Sequence, residues 1–165
     1  MSLVKRIGSI VGTLAVVIGA TTVPASSASV NVFLGESLVN GNSGLCLEVA
    51  DWSTANGAVV RQWECSGGAN QRWVWNGSQW RNKNSGKCLE IADWSVQQGA
   101  KARQWECGSG QNQQWIEGGS RIARTYENKH STLLLEIPGF STSNGTQADQ
   151  WTRNSGNNQV WVLYG

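Results

Sequence analysis

Short apolar runs alternate with polar, glycine-rich stretches along most of the chain. Runs at residues 45–49, 58–64 and 72–75 have the length of β-strands, and clusters of Gly, Asn and Ser bound them, which is typical of turns. Asn56-Gly57 and Asn144-Gly145 are further turn signals, because these residues tolerate a positive φ. Beyond residue 28 no helical periodicity exceeds two turns. The pattern therefore predicts an all-β protein.

The first residues break this pattern. Lys5 and Arg6 precede an apolar run of 14 residues, 7–20, and small residues follow around Ala28. These are the features of a secretory signal peptide, so we predict that residues 1–28 are removed, with cleavage after Ala28 or alternatively after Ser27. A membrane anchor is the other interpretation, but the run is shorter than the roughly 20 residues that span a bilayer. We expect a secreted, extracellular protein.

Internal repeats predict the architecture. Residues 41–73 and 83–115 share 21 identities in 33 positions without a gap. A third copy matches the first at an offset of 88, for example at Leu135-Glu136-Ile137. We therefore divide the predicted domain, residues 29–165, into copies at about 36–75, 76–117 and 118–165. Each copy has about four short strands, about twelve in all, and a copy of ~42 residues is too small to bury its own core, so the three must pack about a common axis.

The four cysteines fall in two pairs with the same spacing of 19 residues, Cys46 with Cys65 and Cys88 with Cys107. In an exported protein this pattern predicts two disulfides, and the repeat symmetry favours one bond within each of the first two copies. Metal binding is the alternative, although the chain has no C-x-x-C pair and a single histidine. We predict neither a metal nor another cofactor.

The predicted bridge also suggests which side chains meet. If Cys46 lies opposite Cys65 in an antiparallel pair, Glu48 lies opposite Trp63. Side chains two apart share a face of a strand, so Arg61 joins this group. One face of the copy would then carry a carboxylate, a guanidinium and an indole.

Each copy ends in Gln-x-Trp, as Gln71-Arg72-Trp73, Gln113-Gln114-Trp115 and Gln159-Val160-Trp161. Together with Cys-Leu-Glu and Trp-Glu-Cys upstream, this pattern resembles the ricin B-type lectins, which are also classed as family 13 carbohydrate-binding modules. The resemblance covers nearly all of the chain beyond the predicted signal. It implies a β-trefoil fold, carbohydrate binding, and a core role for the tryptophan of each Gln-x-Trp.

The resemblance further implies four sugar-contacting positions in each copy: an acid, a polar residue, a stacking aromatic and an asparagine. The matching residues are Glu48, Arg61, Trp63 and Asn70 in copy one, Glu90, Arg103, Trp105 and Asn112 in copy two, and Glu136, Asp149, Trp151 and Asn158 in copy three. An indole can cover the apolar face of a pyranose, and carboxylates and amides can bond its hydroxyls. The family usually has Asp at the acidic position and an amide-type residue at the polar one, so this chain departs from it at both.

The charge composition of the chain excludes some classes of binding partner. The chain has 13 basic and 11 acidic residues, and removal of Lys5 and Arg6 would leave a net charge of zero. A neutral domain lacks the basic surface that binds nucleic acid or an anionic membrane, so we predict neither partner. We expect a monomer that binds an oligosaccharide or polysaccharide weakly at several sites, with copy three the weakest because Glu136 and Asp149 are both acidic.

Two other function classes remain open. A glycosidase would need a pair of carboxylates, for which Glu48 and Asp51 are candidates. The same pair recurs as Glu90 and Asp93, and a catalytic site is seldom duplicated with its scaffold, so we predict that the protein is not an enzyme. A protein-binding trefoil such as a protease inhibitor is the second alternative, since a fold does not fix a function. Trp52 and Trp94 lie in a predicted loop before a turn, where an exposed tryptophan suggests a second stacking surface and a lid over the core is the equal alternative.

Overall fold

The computed structural model describes residues 35–165. The predicted signal peptide and its cleavage site lie outside the described residues. Within the described part, short strands are joined by turns and by six three-residue 3-10 helices, and no longer helix is found. The twelve strands agree with the expected number: β1 Ser37–Asn40, β2 Cys46–Val49, β3 Val60–Trp63, β4 Trp73–Trp75, β5 Trp80–Asn82, β6 Cys88–Ile91, β7 Ala102–Trp105, β8 Trp115–Ser120, β9 Ala123–Asn128, β10 Leu134–Glu136, β11 Asp149–Trp151 and β12 Trp161–Tyr164.

Two kinds of antiparallel strand pair each occur three times, one within each copy and one between the end of a copy and the start of the next. One kind of pair joins β2 to β3, β6 to β7 and β10 to β11. The other joins β4 to β5, β8 to β9 and β12 to β1, and in each of these pairs a tryptophan of Gln-x-Trp lies opposite an asparagine. Because β12 pairs with β1, the last strand of copy three lies beside the first strand of copy one. The repeat seen in the sequence is therefore a three-fold repeat of structure.

The core lies where the three copies meet. Trp73, Trp115 and Trp161 are buried, and the indole nitrogen of each donates a hydrogen bond to a leucine carbonyl of its own copy, for Trp73 that of Leu47 at 2.9 Å. Their predicted core role is confirmed. Leu38, Trp80 and Tyr126 are also fully buried and occupy equivalent positions in the three copies. The Trp80 and Tyr126 rings meet edge to face with centroids 5.3 Å apart. Copies two and three thus have aromatic rings at the core position that Leu38 occupies in copy one.

Three buried glutamines, Gln62, Gln104 and Gln150, join neighbouring copies, and we call them the inter-copy glutamines. The side-chain amide of Gln104 in copy two donates to the carbonyls of Ser53 and Ala55 in copy one, both at 2.9 Å, and accepts from the Ser85 hydroxyl at 2.6 Å. Gln62 makes the same bonds to copy three, and Gln150 makes them to copy two. The glutamine lies between Arg or Asp and Trp in all three copies, yet the sequence analysis gave it no role.

Two disulfides join the predicted partners. Cys46 is bonded to Cys65 and Cys88 to Cys107, and no cysteine within residues 35–165 is free. The prediction of one bridge within each of the first two copies is confirmed. Copy three has Leu134 and Arg153 at the corresponding positions and keeps its strand pair β10–β11 without a bridge.

Candidate functional site

Two equivalent depressions lie on the outside of copies one and two, and we call them the copy-one site and the copy-two site. The copy-one site has a volume of about 340 Å³ and lies between β2, β3 and the two 3-10 turns of its copy. The copy-two site, built from the equivalent elements, has a volume of about 480 Å³. Both are shallow and open to solvent. All four predicted sugar-contacting positions of a copy line its depression.

The strand register that places these side chains differs from the predicted one. Cys46 lies opposite Trp63, not Cys65, and Glu48 lies opposite Arg61, not Trp63. The expected register is therefore wrong by two residues. Strand β3 ends at Trp63, so Cys65 lies beyond the paired segment and its disulfide reaches back to Cys46 across a Cα–Cα distance of 5.1 Å. The change places the acid and the guanidinium directly opposite each other.

Glu48 is the buried acid of the copy-one site. Its carboxylate accepts from Arg61 Nε at 2.9 Å through Oε1, and from Asn70 Nδ2 at 3.2 Å and Gln71 Nε2 at 3.0 Å through Oε2. The residue is only 4% exposed. These hydrogen bonds satisfy a carboxylate that would otherwise be costly to bury. Glu90 has the same three partners in copy two, and Glu136 keeps the two amide partners in copy three.

Arg61 connects the buried acid to the surface. Its Nη2 atom lies 3.0 Å from the carboxylate of Asp51, whose side chain is 82% exposed. The guanidinium carbon also lies 4.4 Å from the ring centroid of Trp63, a distance at which a cation is attracted to an indole face. Trp63 itself is 37% exposed. Arg103, Asp93 and Trp105 repeat this arrangement in copy two.

Sequence reasoning left two residues of the copy-one site out of the predicted sugar contacts. Asp51 entered only as half of a catalytic pair, and Trp52 was left open between a second stacking surface and a lid over the core. Both line the depression, and Trp52 is 54% exposed. The Ala-Asp-Trp-Ser segment recurs identically in copy two, and this was the available signal. In copy three Gly139 and Phe140 take these two positions, so the acid is absent there.

Copy three presents a different set of charges. Glu136 lies opposite Asp149, and Lys101 of copy two pairs with Asp149 at 2.8 Å. Burial raises the pKa of Glu136 above its ordinary value, and the neighbouring Asp149 carboxylate raises it further. Burial also raises the pKa of Asp149, which the hydrogen bond from Lys101 counteracts. The sequence suggested repulsion between the two acids, whereas the lysine from the neighbouring copy could not be anticipated. Trp151 remains exposed like its equivalents.

The fold and the repeated site can be compared with known proteins. A family model of the ricin-type β-trefoil lectin domain matches residues 34–115. The chain belongs to this family. Its twelve strands accordingly form a β-trefoil, and membership of a lectin family supports carbohydrate binding. The recognition made from the Gln-x-Trp repeats is thus confirmed.

Solved structures extend the similarity over most of the lectin domain. ThreeFoil, a designed three-fold symmetric protein, has a TM-score of 0.75 and 33% sequence identity, and the match covers 79% of this chain and 97% of that one. An exo-β-1,3-galactanase from Clostridium thermocellum has a TM-score of 0.73 and 32% identity, covering 78% of this chain and 29% of the enzyme.

A curated relative matches over a shorter segment. Serine protease 1 of Rarobacter faecitabidus is 50% identical over 36 residues, which is 22% of this chain and 7% of that protein. The chain therefore spans only a small part of this relative and of the galactanase. Within residues 35–165, no helix is long and apolar enough to cross a bilayer.

Proposed function

We propose that this lectin domain is a secreted, non-catalytic carbohydrate-binding protein that holds one polysaccharide chain through weak sites in copies one and two. The duplicated Asp–Arg–Glu–Trp arrangement carries the proposal. Arg61 and Arg103 each make the same three interactions, with ion-pair distances that agree within 0.1 Å between copies. Two matching polar and aromatic surfaces suit a repetitive ligand.

The chemistry of the site supports binding rather than hydrolysis. The candidate catalytic pair, Glu48 and Asp51, is bridged by one guanidinium, since Arg61 Nε bonds the first and Nη2 the second. A water or a glycosidic oxygen would have to displace this arginine to reach both carboxylates. In contrast, Trp63 stays 37% exposed although Arg61 lies over its ring, and the Asp51 carboxylate is exposed, so a sugar can contact both groups while the ion pairs stay in place.

Each site alone should bind weakly. The depressions are open, so a bound sugar would bury little apolar surface. Burial stabilises the complex by about 25 cal/mol per Å², and this small gain must offset the entropy lost on association. We expect a dissociation constant of about 0.1–1 mM for a single site. Simultaneous use of two sites on a polymer would raise the apparent affinity by about 10²–10⁴-fold.

The screening experiment uses three soluble polymers: β-1,3-galactan, xylan and laminarin. The purified protein without residues 1–28 is run through native gels that contain each polymer, and retardation reports binding. For a retained polymer, calorimetry with a soluble oligosaccharide then compares Trp63→Ala, Trp105→Ala and Trp151→Ala. We expect the first two to weaken binding, while Trp151→Ala serves as the matched control in the altered third copy.

The results decide between clear alternatives. A double variant, Trp63→Ala with Trp105→Ala, should lose retardation by the polymer. Wild-type retardation of this double variant would disprove multivalent binding through these sites. A larger effect of Trp151→Ala would show that copy three is the main site, and cleavage of any polymer would show that the protein is an enzyme. Absence of retardation by all three polymers would overturn the proposal.

A further inference from the structure

The segment after β2, which carries the exposed Trp52 indole, has a strained backbone. Asp51 and Trp52 have φ angles of 54° and 56°, and the equivalent Asp93 and Trp94 have 56° and 54°. Positive φ is uncommon outside glycine, and for a bulky residue it is a strained conformation. In copy one the strained turn is held by the side-chain amide of Asn84, which donates to the Trp52 carbonyl at 3.1 Å. Backbone strain of this kind is concentrated at functional sites.

The Trp52 indole packs against the backbone of Gly68. Gly68 has a φ of −61°, so its backbone conformation would suit any residue. A Cβ atom at this position would, however, lie 2.8 Å from Cζ2 of the Trp52 ring. The ring therefore packs against the Gly68 backbone and is still 54% exposed. Gly110 lies under Trp94 at the same distance in copy two, which makes a supported, half-open aromatic surface a repeated feature.

The carboxylate beside the indole is the accessible acid of the site. Glu48 is buried, and the three hydrogen bonds described above occupy both of its oxygens. The Asp51 side chain is held by Arg61 through Oδ1 and is largely exposed to solvent. An incoming hydroxyl can reach Asp51 without breaking the buried network. The Asp51 carboxylate and the Trp52 ring follow each other in the chain and line the same depression as Trp63.

We propose that Asp51 with Trp52, and Asp93 with Trp94, form a second sugar subsite beside Trp63 and Trp105. Each depression then takes at least two consecutive sugar units of one chain, one on each indole, with the exposed aspartate accepting a hydroxyl of the second unit. This inference rests on the proposed carbohydrate binding and names its substrate class as oligosaccharides rather than monosaccharides. Copy three, with Gly139 for the aspartate and Phe140 for the tryptophan, lacks the acid of this subsite.

The test measures how affinity depends on ligand length. Wild-type protein and the double variant Trp52→Ala with Trp94→Ala are titrated by calorimetry with oligosaccharides of one to four units, prepared from whichever of β-1,3-galactan, xylan and laminarin retards the protein. We expect the double variant to bind the tetrasaccharide about fivefold more weakly, which corresponds to about 1 kcal/mol, and the monosaccharide as wild type does. Asp51→Asn with Asp93→Asn should change affinity in the same direction.

Two controls separate a lost contact from a lost fold. Phe140→Ala removes the equivalent supported ring in copy three and should leave the affinity for the tetrasaccharide unchanged. Trp52→Phe with Trp94→Phe retains a ring on the same glycine support and should recover most of the affinity. Thermal unfolding of each variant, and its affinity for the monosaccharide, report whether the rest of the site is intact.

The outcomes also separate this subsite from the proposed function. If wild type binds the monosaccharide and the tetrasaccharide equally well, or if the double alanine variant keeps the wild-type dependence on length, the subsite is disproved while carbohydrate binding stands. If none of the three polymers retards the wild-type protein, both proposals are overturned.

Discussion

The inter-copy glutamines offer the sharpest test of how the three copies stabilise one another. In Gln104→Ala, the carbonyls of Ser53 and Ala55 lose their donor and the hydroxyl of Ser85 loses its acceptor. Each of these three hydrogen bonds contributes about 1 kcal/mol net. The missing side-chain volume adds a cavity to a fully buried position. We therefore expect a loss of about 3–4 kcal/mol in the free energy of unfolding.

Urea unfolding with the disulfides intact measures this loss. For a domain of this size the urea dependence is about 2 kcal/mol per molar, so the midpoint should fall by about 1.5–2 M. Gln111→Ala is the matched control, because Gln111 lies in the same copy but is exposed, and its midpoint should stay within about 0.3 M of wild type. Gln62→Ala and Gln150→Ala should resemble Gln104→Ala, since each removes the same three bonds.

A midpoint shift below about 0.5 M for Gln104→Ala would refute this reasoning. It would show that water replaces the amide at the two carbonyls with little loss. The copies would then be held together mainly by the apolar core and the backbone pairing between them, and the presence of one glutamine in all three copies would need another explanation.

Three further predictions follow from features described above. The mass of the exported protein should correspond to a chain beginning at or near Ser29 with no free thiol; a mass that retains residues 1–20, or alkylation of two or more thiols without reductant, would contradict this. Replacing Cys46 and Cys65 together by alanine should lower the free energy of unfolding by about 3 kcal/mol, because the bridge closes a loop of 19 residues in the unfolded chain; an unchanged melting temperature would argue against this account. Burial raises the pKa of Asp149, so the folded protein holds this proton more tightly than the unfolded chain does. The free energy of unfolding of wild type, relative to that of Asp149→Asn, should therefore fall as the pH rises above the ordinary aspartate pKa of 3.8. Urea unfolding of both proteins between pH 4 and pH 8 tests this, and a difference that is constant or rises with pH would contradict it.

Much of the fold could be predicted because the sequence repeats itself. A common offset for Cys46, Trp63 and Trp73 and their second-copy equivalents predicted the repeat architecture and the disulfides, and the resemblance of the Gln-x-Trp repeats to the ricin B-type lectins implied the buried tryptophans. The register of β2 and β3 could not be predicted in the same way. A disulfide restricts only the separation of two cysteines, and Cys65 lies just past the end of the paired segment.

The site was harder to predict than the fold, for three physical reasons. The burial of Glu48 depends on amide groups of a turn more than twenty residues later in the chain, and only the packed structure brings them together. The exposure of Trp52 depends on two non-glycine residues with positive φ, a conformation that their residue types disfavour. Lys101 shows a third limit, since it belongs to one copy and pairs with an acid of the next.

The direction of the inter-copy glutamine bonds closes the three copies into one ring. Copy two bonds to copy one, copy one to copy three, and copy three to copy two, so the bonds form a closed ring. The pairing of Ser37 with Tyr164 closes the same ring through the backbone. In an open solenoid, a duplicated repeat simply lengthens the stack. Here a fourth copy would find both of its neighbours already engaged, and a chain with two copies would leave one glutamine and one strand without a partner. A single further repeat therefore cannot join this ring, and the number of sites within one domain is limited to three.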